Sequence, residues 1–443
     1  MRETAPNETS LTAIRGDLLY CVDDPARAGT ERALVHVPDG LVVMRGGRIV
    51  AVGPAAERLG ELPAGVEVAH YPGCLVVPGF VDAHVHYVQT AMIGAYGADL
   101  LDWLERSTFP AEAAFADPAH AERIAAAFVA ELLRNGTTSA LVYCSTHPGS
   151  VDALFAAAAR YELRIIAGKT WMDRNAPAAL LDTAQGAYDE SRALIERWHG
   201  KGRALYAITP RFAPTSSPAQ LDAAGTLRRE RPDVWVHSHV SETAREVEWV
   251  ASLFPGRAGY LDVYDHHGLL GARTVLAHGV HLTGPELARC HASGTALAHC
   301  PTSNLFLGSG LFDLAAACDP ARPVRVGLGT DVGAGTSFSL LRTLDEAGKV
   351  ARLRGGRLDP AFGFYLATLG GARALGLDDR VGTFARGHEA DVAVLDPRAT
   401  PLLALRTARA DALKDLLSAL FTLGDDRVVR ATWVAGRLAH ERS

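Results

Sequence analysis

The 443-residue sequence has no basic stretch, no paired-cysteine motif and no apolar run long enough to span a bilayer. Its formal net charge of -6 at pH 7 argues against nucleic acid and against an anionic membrane surface as partners. Because the amino-terminal residues also lack the apolar core of a secretory signal, we expect a cytoplasmic protein. The six cysteines form no C-x-x-C pair, which disfavours a thiolate zinc site and predicts reduced, packed side chains.

The sequence does have ample apolar content, 48%, enough to bury a large core in more than one structural unit. Its two ends share a pattern of short alternating segments with turn signals. Near the amino end, Gly46 and Gly47 predict a hairpin turn. Residues 390–396 and 428–438 repeat the pattern near the carboxyl end, so we expect both ends to form one β unit.

The middle of the chain alternates apolar runs typical of buried strands with stretches of helical periodicity. Eight strands are predicted, at residues 75–86, 138–143, 163–170, 204–210, 234–239, 274–278, 296–299 and 324–331. This alternation predicts an α/β fold with a parallel (β/α)8 barrel of the TIM type, whose chemistry lies at the carboxyl ends of its strands. The predicted division is a barrel at residues 75–384 and a small β-sandwich domain from residues 1–74 and 385–443.

The most informative segment is residues 78–86, in which two imidazoles one residue apart follow an apolar run. Side chains alternate between the faces of a strand, so His84 and His86 point to the same side. Neutral imidazole is the commonest protein ligand for a transition metal. The two histidines therefore indicate half of a coordination shell at the end of the first barrel strand.

Other predicted strands also end in polar side chains. Arg211 follows the fourth strand, His239 ends the fifth and His278 ends the sixth. Three imidazoles and one carboxylate suit zinc or ferrous iron, with a water in the remaining position. The predicted metal ligands are His84, His86, His239 and Asp331.

Two further side chains are candidates for catalysis. Glu242 lies three residues after His239, where its carboxylate can act as a proton shuttle. Its alternative role is to begin a helix, since the helix macrodipole favours an acidic residue there. His278 is either a further ligand or a hydrogen-bonding partner of the attacking water and the substrate, and we favour the second role.

The remaining histidines near strand ends are weaker candidates for metal ligands. His237 precedes His239 by two residues and shares its face in a regular strand, which makes it a rival ligand. We interpret His281 and His291 as structural and leave the role of His299 open.

The combined pattern of Pro-Gly-Phe-Val-Asp-x-His-x-His, a histidine on each of strands five and six, and Gly-x-Gly-Thr-Asp on strand eight resembles the amidohydrolase superfamily over nearly the whole chain. Within it, more specific segments are similar to the guanine deaminases, at residues 86–89, 101–112, 168–177, 209–213 and 299–305. The resemblance implies hydrolysis of guanine to xanthine and ammonia. It also implies one zinc ion per subunit, with Fe²⁺ as the alternative, and a homodimer.

The resemblance also implies roles for individual residues. It makes His84, His86, His239 and Asp331 the metal ligands and assigns Gln89, Arg211 and Phe212 to purine recognition. From the residues themselves we predict Glu242, Asp331 and His278 as the catalytic residues, with Glu242 also contacting the substrate. The amide of Gln89 offers a donor and an acceptor, and the guanidinium fork of Arg211 suits a carbonyl oxygen beside a ring nitrogen. Phe212 or Trp103 can cover a ring face.

Three alternatives stay open. A related aminated heterocycle, such as 8-oxoguanine or an amino-triazine, presents a similar amino-substituted ring edge. A binuclear cyclic-amide hydrolase needs a lysine at the end of strand four, where residues 204–211 contain none, whereas Lys169 lies on the predicted third strand. Outside the enzymes, the chain could be a non-catalytic scaffold, because fold alone does not establish activity.

Overall fold

Eight parallel strands with intervening helices form the middle of the chain in the computed structural model, which describes residues 11–97 and 100–442. The barrel strands are β5 (Phe80–His86), β6 (Thr137–Tyr143), β7 (Arg164–Gly168), β9 (Ala204–Pro210), β10 (Trp235–Val240), β11 (Thr274–His278), β12 (Ala296–His299) and β13 (Val326–Leu328). They pair in that order, and the two-residue strand β8 (Thr170–Trp171) pairs with β9. The predicted α/β barrel is confirmed.

Helices cover the outside of the barrel, and this is why β5, β6 and β10 are buried at every position. In the described part of the chain the α-helices are Pro25–Ala28, Thr30–Ala33, Ala55–Arg58, Leu100–Trp103, Phe109–Ala113, Pro118–Arg134, Pro148–Ala159, Ala184–Trp198, Pro218–Glu230, Ala244–Leu253, Tyr260–His266, Gly284–Ser293, Pro301–Phe306, Leu314–Ala317, Leu340–Leu353, Pro360–Ala367, Leu369–Leu375, Pro401–Thr407 and Leu413–Leu423. Leu104–Thr108 is one π-helical turn. None of the described helices combines the length and apolarity that crossing a bilayer requires.

The barrel closes next to the predicted site. Two backbone hydrogen bonds join β5 to the segment that follows β13: Asp331 N–H donates to His84 O at 2.9 Å, and His86 N–H donates to Val332 O at 3.0 Å. The main chain itself thus holds the first strand and the last predicted ligand side by side.

The two chain ends form a second, seven-stranded sheet, as predicted. Its strands are β1 (Leu11–Cys21), β2 (Leu34–Arg45), β3 (Arg48–Pro54), β4 (Glu67–Pro78), β14 (Val392–Leu395), β15 (Val429–Val434) and β16 (Arg437–Glu441). The order is β16-β15-β14-β4-β1-β2-β3, so β4 lies between an amino-terminal and a carboxyl-terminal strand. The hairpin predicted at Gly46 and Gly47 joins β2 to β3.

The prediction of a single barrel strand over residues 75–86 is wrong, because the chain changes sheets at Gly79. β4 ends at Pro78 in the chain-end sheet, and β5 begins at Phe80 in the barrel. A Cβ at Gly79 would lie 2.1 Å from Thr138 Oγ1, so no side chain fits at this crossing. The predicted eighth strand, residues 324–331, is likewise reduced to β13. The domain division stays a proposal, and its first ten residues lie outside the described chain.

Buried ion pairs fasten the chain-end sheet to the amino end of the barrel. Glu389 accepts hydrogen bonds from Arg164 Nε at 3.1 Å and from Arg203 Nη2 at 2.6 Å. Arg203 Nη1 also donates to Asp391 Oδ1 at 2.8 Å. These contacts lie at the end of the barrel opposite the predicted site, since Arg164 begins β7 whereas the predicted ligands follow strand ends.

Candidate metal centre and substrate cavity

Four buried side chains converge at the carboxyl end of the barrel. The Nε2 atom of His86 lies 3.2 Å from His84 Nε2 and 3.2 Å from His239 Nε2. Asp331 Oδ1 lies 3.1 Å from His84 Nε2 and 3.4 Å from His86 Nε2. The structure therefore brings together all four residues predicted as metal ligands.

These separations fit a tetrahedral cation. Zinc lies about 2.0–2.1 Å from imidazole nitrogen and carboxylate oxygen, so neighbouring donors around it are about 3.3–3.4 Å apart. The four donor separations given above agree with that spacing. Three nitrogens and one carboxylate oxygen pointing at one centre are a donor set for a divalent metal rather than a hydrogen-bond network, because four such groups cannot all satisfy one another.

The outer ring nitrogens of the three histidines have partners that fix the ring orientations. His239 Nδ1 donates to the backbone oxygen of Arg211 at 2.7 Å. His84 Nδ1 lies 2.7 Å from His237 Nε2, and His86 Nδ1 lies 3.1 Å from Gln89 Nε2. Metal-binding histidines commonly have such supports behind them. His237, the predicted rival ligand, thus stands behind His84 rather than in the cluster.

The electrostatic environment favours the neutral form of these imidazoles, which is the form that binds a cation. Burial, reinforced by the nearby positive charge of Arg211, lowers the pKa of His84 and His86 well below the usual value. Burial also lowers the pKa of His239. A neutral imidazole keeps the lone pair that a metal requires, so these side chains do not need to lose a proton first.

Unusual backbone geometry aims two of the acidic and basic groups into the site. His278 has φ 70° and Asp331 has φ 51°, in the left-handed region that residues with a Cβ rarely adopt. Asp82, two residues before His84, helps to hold this arrangement, since its Oδ1 accepts from the backbone N–H of Thr330 at 3.1 Å. The sequence analysis missed Asp82, although it shares the strand face of His84 and His86.

A cavity with about 390 Å³ of empty space opens directly onto the cluster. The polar lining comes from the predicted catalytic and substrate-binding residues, and the apolar lining comes largely from the segment after residue 99. The lining residues are His86, Gln89, Leu100, Trp103, Leu104, Arg211, Phe212, His239, Glu242, His278, Ser303, Leu307, Asp331 and Ala334.

Glu242 faces this cavity because a different carboxylate caps the following helix. Thr243 is the N-cap of Ala244–Leu253 and forms a capping box with Glu246. The Glu246 carboxylate also accepts from the backbone N–H of Glu242 at 2.8 Å. Glu242 itself precedes the cap, and its Oε1 accepts from the Ser309 hydroxyl at 2.9 Å. The helix-start role considered for Glu242 therefore belongs to Glu246.

His278 lies between two carboxylates. Its Nε2 is 3.5 Å from Glu242 Oε2 and 3.7 Å from Asp331 Oδ2, while its Nδ1 donates to Asn304 Oδ1 at 2.8 Å. Burial alone would lower its pKa, but Glu242, Asp331 and Asn304 outweigh burial and raise the pKa of His278. With Nδ1 bonded to Asn304 and Nε2 nearest to Glu242, the ring stands outside the four-donor cluster, which favours the hydrogen-bonding role over the ligand role.

Gln89, Arg211 and Phe212 line the same cavity and carry the groups expected for purine recognition. Behind them lies Glu112, which the sequence analysis quoted only as part of a motif. Its Oε2 accepts from Arg211 Nη1 at 2.5 Å, and its Oε1 accepts from Gln89 Nε2 at 3.0 Å. No local pattern signals this contact, because the three residues are far apart in the chain.

The other histidines do not enter the cluster. His281 Nε2 donates to Ser309 O at 2.9 Å, and His291 Nδ1 donates to Pro323 O at 2.8 Å, on the exposed side of its helix. The His299 ring stacks on Phe312, with 4.7 Å between ring centroids. Of the three, His299 alone has neither ring nitrogen hydrogen-bonded to a described residue.

Lys169 also lies away from the metal cluster, in an ion-pair network of its own. Its Nζ is 2.6 Å from Asp182 Oδ2 and 2.6 Å from Glu190 Oε2. Its side chain is fully buried, and both of its carboxylate partners lie outside the cavity lining. The bridging lysine that a binuclear centre requires is therefore not supplied by Lys169.

We predict that Lys169→Met destabilises the fold by about 3 kcal/mol without changing the metal content, because the partly buried Asp182 carboxylate loses its positively charged partner and keeps only the hydrogen bond from Gln220. Lys349→Met is the matched control. Lys349 also contacts two carboxylates, those of Asp345 and Glu346, but its side chain is 54% exposed, so its loss should cost less than about 1 kcal/mol. Urea denaturation and metal analysis check both variants. Equal destabilisation, or loss of metal from Lys169→Met, would contradict this interpretation.

Comparison with known sequences and structures identifies relatives along the whole chain. The sequence model of the Amidohydrolase family matches residues 75–439. Guanine deaminase of Escherichia coli (strain K12) is 51% identical over 98% of this chain and 99% of its own. The solved structure of E. coli guanine deaminase has a TM-score of 0.95 and covers 98% of this chain and 100% of that one.

Two further solved structures are informative. Guanine deaminase from C. acetobutylicum, solved with guanine bound in its active site, is 27% identical, with a TM-score of 0.86, and covers 97% of this chain and 100% of that one. An adenosine deaminase from Xanthomonas campestris with bound zinc is 28% identical, with a TM-score of 0.81, and covers 98% of this chain and 93% of that one.

Proposed function

This chain belongs to the amidohydrolase family, and from that premise we propose that it is a metal-dependent hydrolase that converts guanine to xanthine and ammonia. The observation that carries the proposal is that three of the four donors, His86, His239 and Asp331, line the same cavity as the substrate-binding candidates Gln89, Arg211 and Phe212. The resemblance to guanine deaminases extends over almost the full length of both chains, which supports the same substrate.

Each residue of the cavity has a defined task in this reaction. A divalent metal, when bound, makes water a nucleophile near neutral pH. Asp331 accepts a proton as oxygen attacks C2 of guanine, and Glu242 donates a proton to the adjacent ring N3. His278, lying between these two carboxylates, donates a hydrogen bond that orients the attacking oxygen. Asp331 then passes the proton it accepted to the departing amine, and the proton of the new C2 hydroxyl returns to Glu242 as the carbonyl forms, so both carboxyl groups regain their starting states.

Substrate recognition uses the remaining wall of the cavity. Arg211 presents its guanidinium to the C6 carbonyl and an adjacent ring nitrogen, and Gln89 presents its amide to the purine edge. Phe212 packs against a ring face, and Trp103 contributes to the apolar wall. A purine is flat and polar only at its edge, which matches a cavity with apolar faces and a few polar side chains.

The deciding experiment follows guanine conversion to xanthine by ultraviolet absorbance, with zinc-loaded protein and with the same protein stripped by a chelator. Metal-dependent conversion supports the proposal. If metal-loaded protein converts an amino-triazine or 8-oxoguanine but not guanine, the alternative substrate class is correct. If it binds metal but converts no heterocycle, the scaffold alternative gains support.

The finer parts of the proposal are one zinc ion per chain, a homodimer and a cytoplasmic location. Three imidazole nitrogens and one carboxylate oxygen support zinc, with Fe²⁺ as the alternative. None of the described cysteines is paired, and this pattern is usual for a reducing compartment. Elemental analysis of purified protein and sedimentation velocity test the metal and the dimer.

We predict that kcat/KM for guanine falls as pH rises through about 7. Burial raises the pKa of Glu242 to about 7, against the charge of His278 and with help from the Glu246 and Asp331 carboxylates. The protonated acid that serves N3 is present below this pKa and is lost above it.

A variant of Ser309 provides the control for that prediction. The Ser309 hydroxyl donates to Glu242 and stabilises its charged form, so Ser309→Ala should raise the pKa of Glu242 and move the alkaline fall of kcat/KM to higher pH. The measurement is kcat/KM between pH 5 and 10 for both proteins. An unmoved profile, or a shift to lower pH, would assign the titration to another group.

A further inference from the structure

The carboxylate of Glu112 is fully buried and has two hydrogen-bond partners, Arg211 and Gln89, whose side chains line the cavity. Its Oε2 lies 2.5 Å from Arg211 Nη1, and its Oε1 accepts from Gln89 Nε2 at 3.0 Å. The helix that carries it, Phe109–Ala113, is itself tied to the barrel, because the Glu112 backbone oxygen accepts from the Ser145 hydroxyl at 2.9 Å. One carboxylate thus connects two side chains that come from different strand ends.

Both partners are oriented by this contact. The guanidinium of Arg211 stays in one plane, so fixing Nη1 also fixes the directions of its other donors. The Gln89 amide is held at both ends, since its Oε1 also accepts from the backbone N–H of Gly333 at 3.1 Å. Of the groups that hold these two side chains, Glu112 alone contacts both.

Glu112 orients Gln89 and Arg211 from a position outside the cavity, where it does not touch the substrate. Gln89 and Arg211 are among the described residues that line the cavity, whereas Glu112 is not. Its carboxylate lies on the far side of both. A group in that place can affect a bound purine only through the side chains in front of it.

Charge balance gives a second reason for a carboxylate here. Arg211 is buried and lines the same cavity as the cluster residues His86 and His239. A permanent positive charge beside a cation site is unfavourable unless a negative partner compensates it. Glu112 supplies that partner, and the cation–π contact of Arg211 with Phe109, at 5.6 Å, holds the other side of the guanidinium.

We propose that Glu112 is a positioning residue that sets substrate specificity, holding Arg211 for the C6 carbonyl of the purine and Gln89 for its edge. This inference rests on the proposed function. Its consequence is selective: removing the Glu112 charge should weaken binding of a ligand with a C6 oxygen more than binding of a purine with the same C2 amino group and no C6 oxygen.

The test uses Glu112→Gln, which keeps an acceptor for Gln89 but removes the charge that holds Arg211. We expect the KM for guanine to rise about 10- to 100-fold, the loss of one charge-assisted hydrogen bond, while kcat changes less than about threefold. 2-Aminopurine lacks the C6 oxygen, so its inhibition constant as a competing ligand should change less than about threefold. Metal content is measured for each protein.

Two further variants separate positioning from stability. Glu389→Gln removes another buried carboxylate that binds two arginine side chains, Arg164 and Arg203, at the opposite end of the barrel. It should lower the melting temperature and leave the KM for guanine unchanged. Glu112→Asp keeps the charge but is one methylene shorter and does not reach both partners, so it should fold stably with a raised KM for guanine.

The outcomes are distinct. A wild-type KM for guanine in Glu112→Asp, or equal weakening of guanine and 2-aminopurine in Glu112→Gln, assigns Glu112 to stability alone and overturns the inference. If Glu112→Gln does not fold, the KM of Glu112→Asp for guanine tests the inference instead. If the wild-type protein does not convert guanine, the proposed function fails first and the inference fails with it. Active wild-type protein and unchanged variants overturn only the inference.

Discussion

Glu242→Gln should retain its metal and lose about two to four orders of magnitude in kcat for guanine. The substitution keeps the size of the side chain and keeps an oxygen that can accept from the Ser309 hydroxyl, so the cavity should hold its shape. It removes the acidic proton that N3 of guanine requires when oxygen attacks C2. The loss should therefore appear in the chemical step rather than in substrate affinity.

The matched control for this variant lies in the helix that follows Glu242. Glu248→Gln makes the same chemical change on the exposed side of Ala244–Leu253 and should leave kcat and stability almost unchanged. Steady-state kinetics and metal analysis of the wild type, Glu242→Gln and Glu248→Gln test this prediction. Glu242→Gln with wild-type kcat would remove Glu242 from the mechanism.

His239→Ala should lose stoichiometric metal and at least about three orders of magnitude in activity, because the metal contributes several kcal/mol to catalysis. His239 supplies one of the three imidazole nitrogens, and alanine removes one of the four protein donors that the structure places around the centre. The backbone oxygen of Arg211 also loses one of its hydrogen-bond donors, so a small loss of stability should accompany the loss of metal.

His291→Ala controls for the loss of a histidine as such. His291 Nδ1 also donates to a backbone oxygen, that of Pro323, but on an exposed helix face. This variant should keep both metal and activity. Elemental analysis and activity in the presence of added zinc distinguish the two variants. If His239→Ala retained one tightly bound metal ion per chain, the proposed ligand set would be incorrect.

The strand-end side chains could be predicted from sequence because periodicity fixes which face a residue occupies, and a parallel barrel places all carboxyl strand ends together. A correct strand count was enough to predict the positions of His84, His86 and His239. The sequence prediction reached Asp331 as the last residue of an eighth strand over residues 324–331, but β13 ends at Leu328 and Asp331 lies in the segment that follows it.

Contacts between distant segments could not be predicted in the same way. The change of sheet at Gly79 depends on the approach of Thr138, which no pattern within residues 75–86 encodes. Glu112 is 99 positions from Arg211 in the chain, and only the fold shows that their charges meet. The sequence motif contained Glu112, but its partners are set by tertiary structure.

The order of strands in the chain-end sheet has a consequence for folding during synthesis on the ribosome. Strand β4 lies between β1 and β14, so one of its edges has no partner until the last part of the chain has been made. An unpaired strand edge is a template for association with other chains. During synthesis, the whole barrel emerges while this edge is still open, and the nascent chain is most exposed to aggregation just before its final residues appear.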